Sequence, residues 1–495
     1  MMRLILLLIL LAPHFISGQE FKRGKAEKDD RKYQPIELVG YHNGKIALLK
    51  GKTNEAEFVS DLMIELYDTN SLDRVSQTAF EKCYVDQLDF FPEGVKSFGN
   101  KLLILGSGYD KNQKSNVLKY KLPDFEKSTL QPEKGTELMR VPAAFFSNSQ
   151  ARFQIVMNEK QDRLLTLSAG YPLKSDSLQI DFTIFDEELK SIKTFHQLIP
   201  SSGYRFKVLQ TVLDNRGNVE LLIDWFSDGK NPRHSYSLFA FPVMSDEIVE
   251  YALDIPDKTI QDVRFSLLNE DQIAVAGLYS SRRGEKLPDG FFYLSINKEM
   301  ARIDAKKLFE FSEVARVEGL KDAKQSFDEL FENIRLTELH ISNEGELVVA
   351  MEQQSSEEIC QTDFRSNMMV CNQHYYINNG VLLTISAASE VKSGQLIEKK
   401  QHLIENDRVY LSFIIQKTKS GLSALYNLNM KDKGELKFNF PENSRLVINA
   451  PNKPLISFEN DIPAQLECGA IKNNRFVYLI GDGRDGTALL RVSYQ

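Results

Sequence analysis

The sequence predicts an all-β chain folded as a β-propeller of about seven blades, within a range of six to eight, carrying one short helical insertion. Three observations predict it. A polar turn holding Asn, Asp or Gly, followed by a short apolar run, recurs along the chain. Each run is nearly continuous in Val, Ile, Leu and Tyr, so as a strand it must be covered on both faces. A second segment with better alternation follows most runs, as a small sheet requires.

The repeat begins with Asn43-Gly44-Lys45 before Ile46–Leu49 and returns as Gly99-Asn100-Lys101 before Leu102–Leu105. It continues with Leu164–Leu167, Val219–Trp225, Ile273–Leu278, Leu347–Met351, Val409–Ile415 and Phe476–Ile480. The spacing, about 55 to 70 residues, is that of propeller blades or slightly longer units. The alternating partners include Asp181–Asp186, Tyr236–Phe241, Phe291–Ile296, Leu382–Ile385, Leu425–Leu428 and Leu489–Val492. A pair of β-sandwiches would show stricter alternation, because one face of each sheet meets solvent. The repeat domain is therefore assigned to residues 36–495.

Two segments precede it. Arg3, the apolar run Leu4–Ala12 and the more polar Pro13–Gly18 have the layout of a signal peptide over residues 1–18, with cleavage before Gln19. The run is shorter than the roughly 20 residues that span a bilayer. No second long apolar stretch follows, so the mature chain is expected to lack a transmembrane segment. Residues 19–35 are dominated by Lys, Arg, Asp and Glu and read as a flexible polar leader.

One region breaks the rhythm. Between about 305 and 335, Ala323, Phe327, Leu330, Phe331 and Ile334 recur at helical spacing, with Lys321, Asp322, Lys324, Asp328, Glu329 and Glu332 turned away. An amphipathic helix packed on the propeller is expected. Its alternative is a lid over one mouth of the ring.

From about Val263 to Gln401 the chain resembles a group of exported bacterial β-propeller-like proteins, common in Bacteroidetes, without an assigned activity. The resemblance lies in Val275–Ser280 with Gly290–Leu294, Leu308–Phe311, Glu344–Gln353, Tyr375-Tyr376 and Val381–Leu383. It implies export and a propeller architecture. The pair Cys360 and Cys371 departs from the group, and the resemblance implies no catalytic residues.

The four cysteines of an exported chain suggest disulfides, in one of three connectivities. Cys360 and Cys371 flank a polar loop between two strand-like segments, where a hairpin staple fits. Cys83 and Cys468 lie in the first and last units, which a closed ring makes neighbours. Buried free thiols are the alternative for both pairs.

Little else points to chemistry. The histidines, His14, His42, His196, His234, His340, His374 and His402, are scattered, without zinc-site spacing. Asp482–Gly486 lacks the alternating ligands of a calcium loop and reads as a turn. Gly40–Lys45 is one residue short of a phosphate loop, with Ile46 where Ser or Thr is needed. Ser389-Glu390-Val391-Lys392 matches Ser-x-x-Lys without its partner motifs, and no Gly-x-Ser-x-Gly elbow occurs. Trp225, the single Trp, is expected to end a core strand. No catalytic residue, cofactor or metal ligand is assigned.

A net charge of −8 disfavours nucleic acid and anionic membranes as partners. The expected function is an exported binding or scaffold protein of the cell envelope, periplasmic or extracellular, with a protein or glycan partner. The alternative is an envelope hydrolase, acting on glycan or peptide, with an acidic site at the central mouth. A mouth lined by several carboxylates would favour the hydrolase; an apolar or aromatic patch would favour the partner surface.

Overall fold

The computed structural model describes residues 20–27, 33–53, 59–80, 90–142, 153–170, 177–229, 232–281, 287–321, 323, 326–363, 368–404, 411–418, 421–428, 445–449, 456–459, 464–466, 469–472, 475–483 and 486–493. The expected signal peptide, Cys83 and Cys468 lie outside these residues.

Among the described residues the strands form eight antiparallel sheets. Seven are blades built from consecutive strands, and they are numbered here by their first strands. These are Gln34–His42, Phe91–Phe98, Phe153–Met157, Arg205–Leu213, Thr259–Leu267, Ile334–Ile341 and Phe413–Thr418. The eighth sheet is composite. Its order is Ala464–Gln465, Phe476–Gly483, Gly486–Ser493 and then the N-terminal strand Glu20–Arg23.

The apolar runs are the second strands of these sheets, and their burial is two-faced as expected. In the strand Lys45–Thr53, Ala47 and Leu49 pack toward Ile104 of blade 2. Ile46 and Leu48 pack the other way, toward Tyr478 and Ile480 of the eighth sheet. In Gln272–Ser280, Ile273 and Val275 face blade 4, while Ala274, Ala276 and Leu278 face blade 6. Eight such apolar clusters, each shared by two adjacent sheets, run from blade 1 round to the eighth sheet and back. The ring is closed. Trp225 lies near the end of a second strand and packs between blades 3 and 4.

Closure corrects one expectation. The polar segment read as a flexible leader over residues 19–35 is structured across its first part. Glu20–Arg23 pairs with Leu490–Ser493, and Glu27 bridges Thr487 through two backbone hydrogen bonds. An outermost strand is held by its ladder and needs little apolar surface; here Phe21 supplies it against the sheet 7–8 cluster. The segment also reaches blade 1. A Cβ on Gly24 would stand 2.0 Å from the Leu72 carbonyl oxygen, so only glycine permits this approach. Lys25 N donates to Asp73 Oδ1 at 3.1 Å.

The helical insertion is present, within narrower bounds than the expected 305–335. Residues Arg302–Glu310 are the outer strand of blade 5, not helix. Two short helices come after that strand, Phe311–Val314 and Phe327–Phe331, with Ser326 and Glu329 forming a capping box on the second. Ile334 already belongs to the first strand of blade 6. The apolar spacing was real but served tertiary packing. Phe311, Val314, Leu320, Leu330 and Phe331 fill the blade 5–6 interface, and the rings of Phe311 and Phe331 stack at 4.0 Å. Gly319, at φ +88°, lets the insert lie against Gly394 of the blade's outer strand, where Gly394 N donates to Glu318 O at 2.8 Å. The insert packs as a decoration of this interface.

Ile480 is fully buried at the closing interface. Ile480→Ala is expected to cost about 2 to 4 kcal/mol, read by urea unfolding as a shift of one cooperative transition. Val75→Ala, on an exposed outer strand, should stay within about 0.5 kcal/mol.

Candidate functional site: the central channel and its mouths

The first strands of blades 1 and 2 and of blades 3 through 6 neighbour one another in turn, and the inner ends of the sheets line a channel with a cavity at each end. Backbone pairing stops at each blade, so side chains tie the inner strands together. Lys96 Nζ donates to Glu37 Oε1 at 2.8 Å between blades 1 and 2. Thr211 Oγ1 donates to Gln154 Oε1 at 2.7 Å between blades 3 and 4. The Gln210 amide makes two bonds with the Phe265 backbone, at 2.8 and 3.1 Å. The Leu336 N–H donates to Asp262 Oδ2 at 3.2 Å, and Lys472 Nζ to the Ile415 carbonyl at 2.8 Å.

These side chains are aimed by irregularities in the strands. The inner strands of blades 4, 5 and 6 slip register between Val208 and Gln210, Ile260 and Asp262, and Leu336 and Glu338. Each bulge inserts one residue and re-aims the next polar side chain. Those side chains are Gln210, Asp262 and Glu338. The sequence pattern of apolar second strands does not reach them. In sequence each stands among other polar residues, as in Arg205–Leu213, Thr259–Leu267 and Ile334–Ile341, so nothing there singles it out.

Glu338 lines cavities at both ends of the inner strands and therefore marks the waist of the channel. Its Oε2 lies 2.6 Å from His340 Nε2. Burial pushes its carboxyl up, but the His340 bond and the charges of His340 and Lys472 outweigh it and hold it below its usual value. Burial pushes the Lys472 ammonium down, against the pull of Glu338.

At the end where the inner strands begin, a cavity of about 720 Å³ lies beneath a projecting hairpin. The hairpin is formed by Leu347–Asp363 and Met368–Ile385, strands of 17 and 18 residues. The first strand of blade 6 pairs only as far as Gln353, so about ten residues of each arm extend beyond it, roughly 30 Å. At its far end Cys360 and Cys371 stand opposite in register and are disulfide-bonded, with Cα atoms 3.9 Å apart. On one face of the base, Tyr376 donates to Glu357 at 2.6 Å and its ring stacks on His402 at 4.4 Å. On the other face, Tyr375 and Ile377 pack with Leu403 and Leu411 over the cavity. Phe413, Ile414 and Leu466 complete its apolar lining, with Arg335 and Glu338 among its polar groups.

At the opposite end, a cavity of about 790 Å³ is lined by blades 3 to 7. Asp214 there belongs to a buried cluster. Lys298 Nζ lies 2.9 Å from Asp214 Oδ2 and 2.7 Å from Glu220 Oε1. One ammonium thus serves two carboxylates, and they differ in their other partners. Asp214 also accepts from the Asn218 side chain and from backbone N–H groups of Arg216 and Asn218. Although burial acts against it, these bonds and Lys298 hold Asp214 below its ordinary value. Glu220 Oε2 is buried without a partner, and burial pushes its carboxyl up to about 7 despite Lys298.

The remaining sequence candidates fall elsewhere. Ser389 sits in a turn, and Lys392 pairs with Glu346 at 3.0 Å instead of approaching Ser389 as a base. Gly483 and Gly486 face each other across a hairpin turn. His234 pairs with Asp224 at 2.9 Å, and His196 with Asp181 at 2.5 Å. Among the described residues, metal-type donors gather in threes at one place, Glu358 with Cys360 and Cys371, where the sulfurs are bonded to each other. No helix among the described residues is long and apolar enough to cross a membrane.

No family model matches the chain, and no curated protein matches it. Solved structures similar to it include the Dos1 propeller, 10% identical, with 96% of this chain and 95% of that one covered at a TM-score of 0.46. The β-propeller domain of the Trilobed protease from Pyrococcus furiosus is 9% identical, covering 88% and 98%, at 0.36. The WD40 domain of SCAP from fission yeast is 8% identical, covering 96% and 98%, at 0.36. These are likenesses of fold and carry no statement of activity. The chain is a β-propeller protein.

Two measurements check the chemistry of this region. Non-reducing peptide mapping should recover the Cys360 and Cys371 peptides joined. Cys360→Ser should lower stability by about 2 to 3 kcal/mol, the chain-entropy value for a loop of this size. The second concerns Glu220, whose folded pKa of about 7 exceeds its ordinary 4.5. Between those pH values the folded chain holds a proton that the unfolded chain has lost. Unfolding free energy therefore falls as pH rises through the window and levels off above it. Glu220→Gln should remove that fall, a change on the order of a few kcal/mol between pH 5 and 8, read by denaturant midpoints of both proteins.

Proposed function

We propose that this chain is an exported binding or scaffold protein of the cell envelope, working in the periplasm or outside the cell. Its partner surface is the channel mouth under the disulfide-tipped hairpin. The observation that carries the reading is the lining of that mouth. Tyr375, Ile377, Leu411, Phe413, Ile414 and Leu466 surround a cavity beside a braced arm. Asn333, Arg335, Glu338, Gln354, Ser355, Ser356 and Ser412 share the lining, and this mixture of aromatic, apolar and polar groups suits recognition of a protein or glycan partner. A hydrolase would need carboxylates at liberty to act. At the opposite mouth Glu338 is bonded to His340, Asp214 to Lys298 and Glu270 to Arg216, and Glu159 is exposed. The export half of the reading rests on the N-terminal sequence and on the disulfide, which suits an oxidising compartment.

Both halves can be tested. Intact mass of the protein recovered from its native cells should correspond to a chain beginning at Gln19; a retained Met1 would remove the case for export. A photo-crosslinking residue at Ser356, on the mouth side of the hairpin, should give one discrete adduct in intact cells. The same residue at Val75 should not, and Ile377→Asp should abolish the Ser356 adduct. Equal adducts at both positions would refute a partner surface at this mouth.

A further inference from the structure

The opposite mouth carries an imbalance that the partner surface does not use. Of the four carboxylates lining the 790 Å³ cavity, Asp214 is ion-paired with Lys298 at 2.9 Å and Glu270 with Arg216 at 2.6 Å, and Glu338 is hydrogen-bonded to His340 at 2.6 Å. Glu159 is exposed on the turn after the first strand of blade 3. Two cations of the same cavity are not matched in this way. Arg264, on the first strand of blade 5, has no ion-pair partner among the described residues, and its Nε is buried without a hydrogen-bond partner. Lys417, on the first strand of blade 7, donates from Nζ to the Ser342 carbonyl at 3.2 Å and likewise has no carboxylate partner among the described residues. Asp262, whose carboxyl feels the Arg264 charge without an ion-pair contact, accepts the backbone N–H groups of Val263 and Leu336.

A buried guanidinium N–H left without an acceptor costs free energy, on the order of 1 to 3 kcal/mol, unless something enters to accept it. Guanidinium presents a planar fork that suits two-oxygen acceptors, and ammonium adds a point charge. The cavity is large enough for a small molecule. We propose that this mouth binds the anionic group of a small ligand, a carboxylate or a phosphate, with Arg264 and Lys417 as its charge partners. The site lies at the far end of the channel from the hairpin and does not depend on a partner surface there.

The test is calorimetric titration of the full mature chain with citrate and, separately, with inorganic phosphate, with uncharged glycerol as the control. At least one anion should bind with 1:1 stoichiometry, and binding should weaken as sodium chloride is raised. Preference between the two anions assigns the group as carboxylate or phosphate. Arg264→Met and Lys417→Met should each weaken binding by roughly tenfold or more, while Lys25→Met, on the outer N-terminal segment, should not. Lys417 is exposed, so its substitution tests the site even where Arg264→Met disturbs folding. Absence of binding by both anions would overturn the proposal. So would equal affinity in wild type and Lys417→Met, which would mark ordinary surface attraction.

Discussion

Everything in this fold depends on apolar strands that have no wet side. Each blade's second strand sends alternate residues into two different interfaces, as Ala47 and Leu49 do against Ile46 and Leu48. A sheet with that composition cannot end a stack, because whichever face came last would expose large side chains, each worth about 1.5 to 3 kcal/mol when buried. The ring is the arrangement in which no sheet comes last. Its closure then rests on a composite sheet whose outer strand, Glu20–Arg23, comes from the other end of the chain. Ring integrity and the fate of the N-terminus are thus one physical question.

The axis obeys a different rule. Inner strands diverge from their neighbours and cannot share a ladder, so their polar groups must be met by side chains. Gln210 does this for Phe265 and Asp262 for Leu336. The outcome is a channel of polar side chains inside a shell of apolar interfaces. Charges there are held by partners and by nearby solvent together: the half-exposed Glu338 is kept below its usual value by His340 and Lys472. Glu220 lies between sheets instead, and there burial raises its carboxyl.

This division decides which features are legible in the sequence. Two-faced burial writes itself as continuous apolar runs, so the second strands and the propeller class could be read directly. The sequence-based number of blades was about seven; seven blades are contiguous, and the composite sheet brings the ring to eight. That sheet could not be read from one end of the chain, because Glu20–Arg23 is held by backbone bonds that any composition can make. The Cys360–Cys371 staple was legible because its spacing in sequence matches a hairpin register. The insert was legible in part: Phe327, Leu330 and Phe331 share a helix, but Ile334 at the end of the spacing begins a strand, and Arg302–Glu310 before it is strand as well. The channel groups were illegible for a geometric reason: Arg264, Glu338 and Lys417 line one cavity only when three blades are curved round one axis.

The hairpin shows how buried polarity can fix the direction of an element. Glu352 stands where the hairpin leaves blade 6, just before a register shift. Its carboxylate is fully buried and lies 2.6 Å from Lys399 Nζ, while Gln354 and Ser412 donate to it as well. Burial pushes the Lys399 ammonium down, and Glu352 opposes that shift. Lys399 also donates to Gln401 Oε1 at 2.9 Å, Gln401 donates to the Asn427 carbonyl, and the Asn427 side chain bonds both backbone groups of Ala464. Three successive sheets are joined by this one chain of bonds. A well-packed apolar replacement could be as stabilising as such a pair, but it would tolerate small rotations between sheets. Directional bonds at fixed distances do not. An arm extending roughly 30 Å beyond its blade magnifies any rotation at its base, so a buried ionic network is most useful where this structure has placed it.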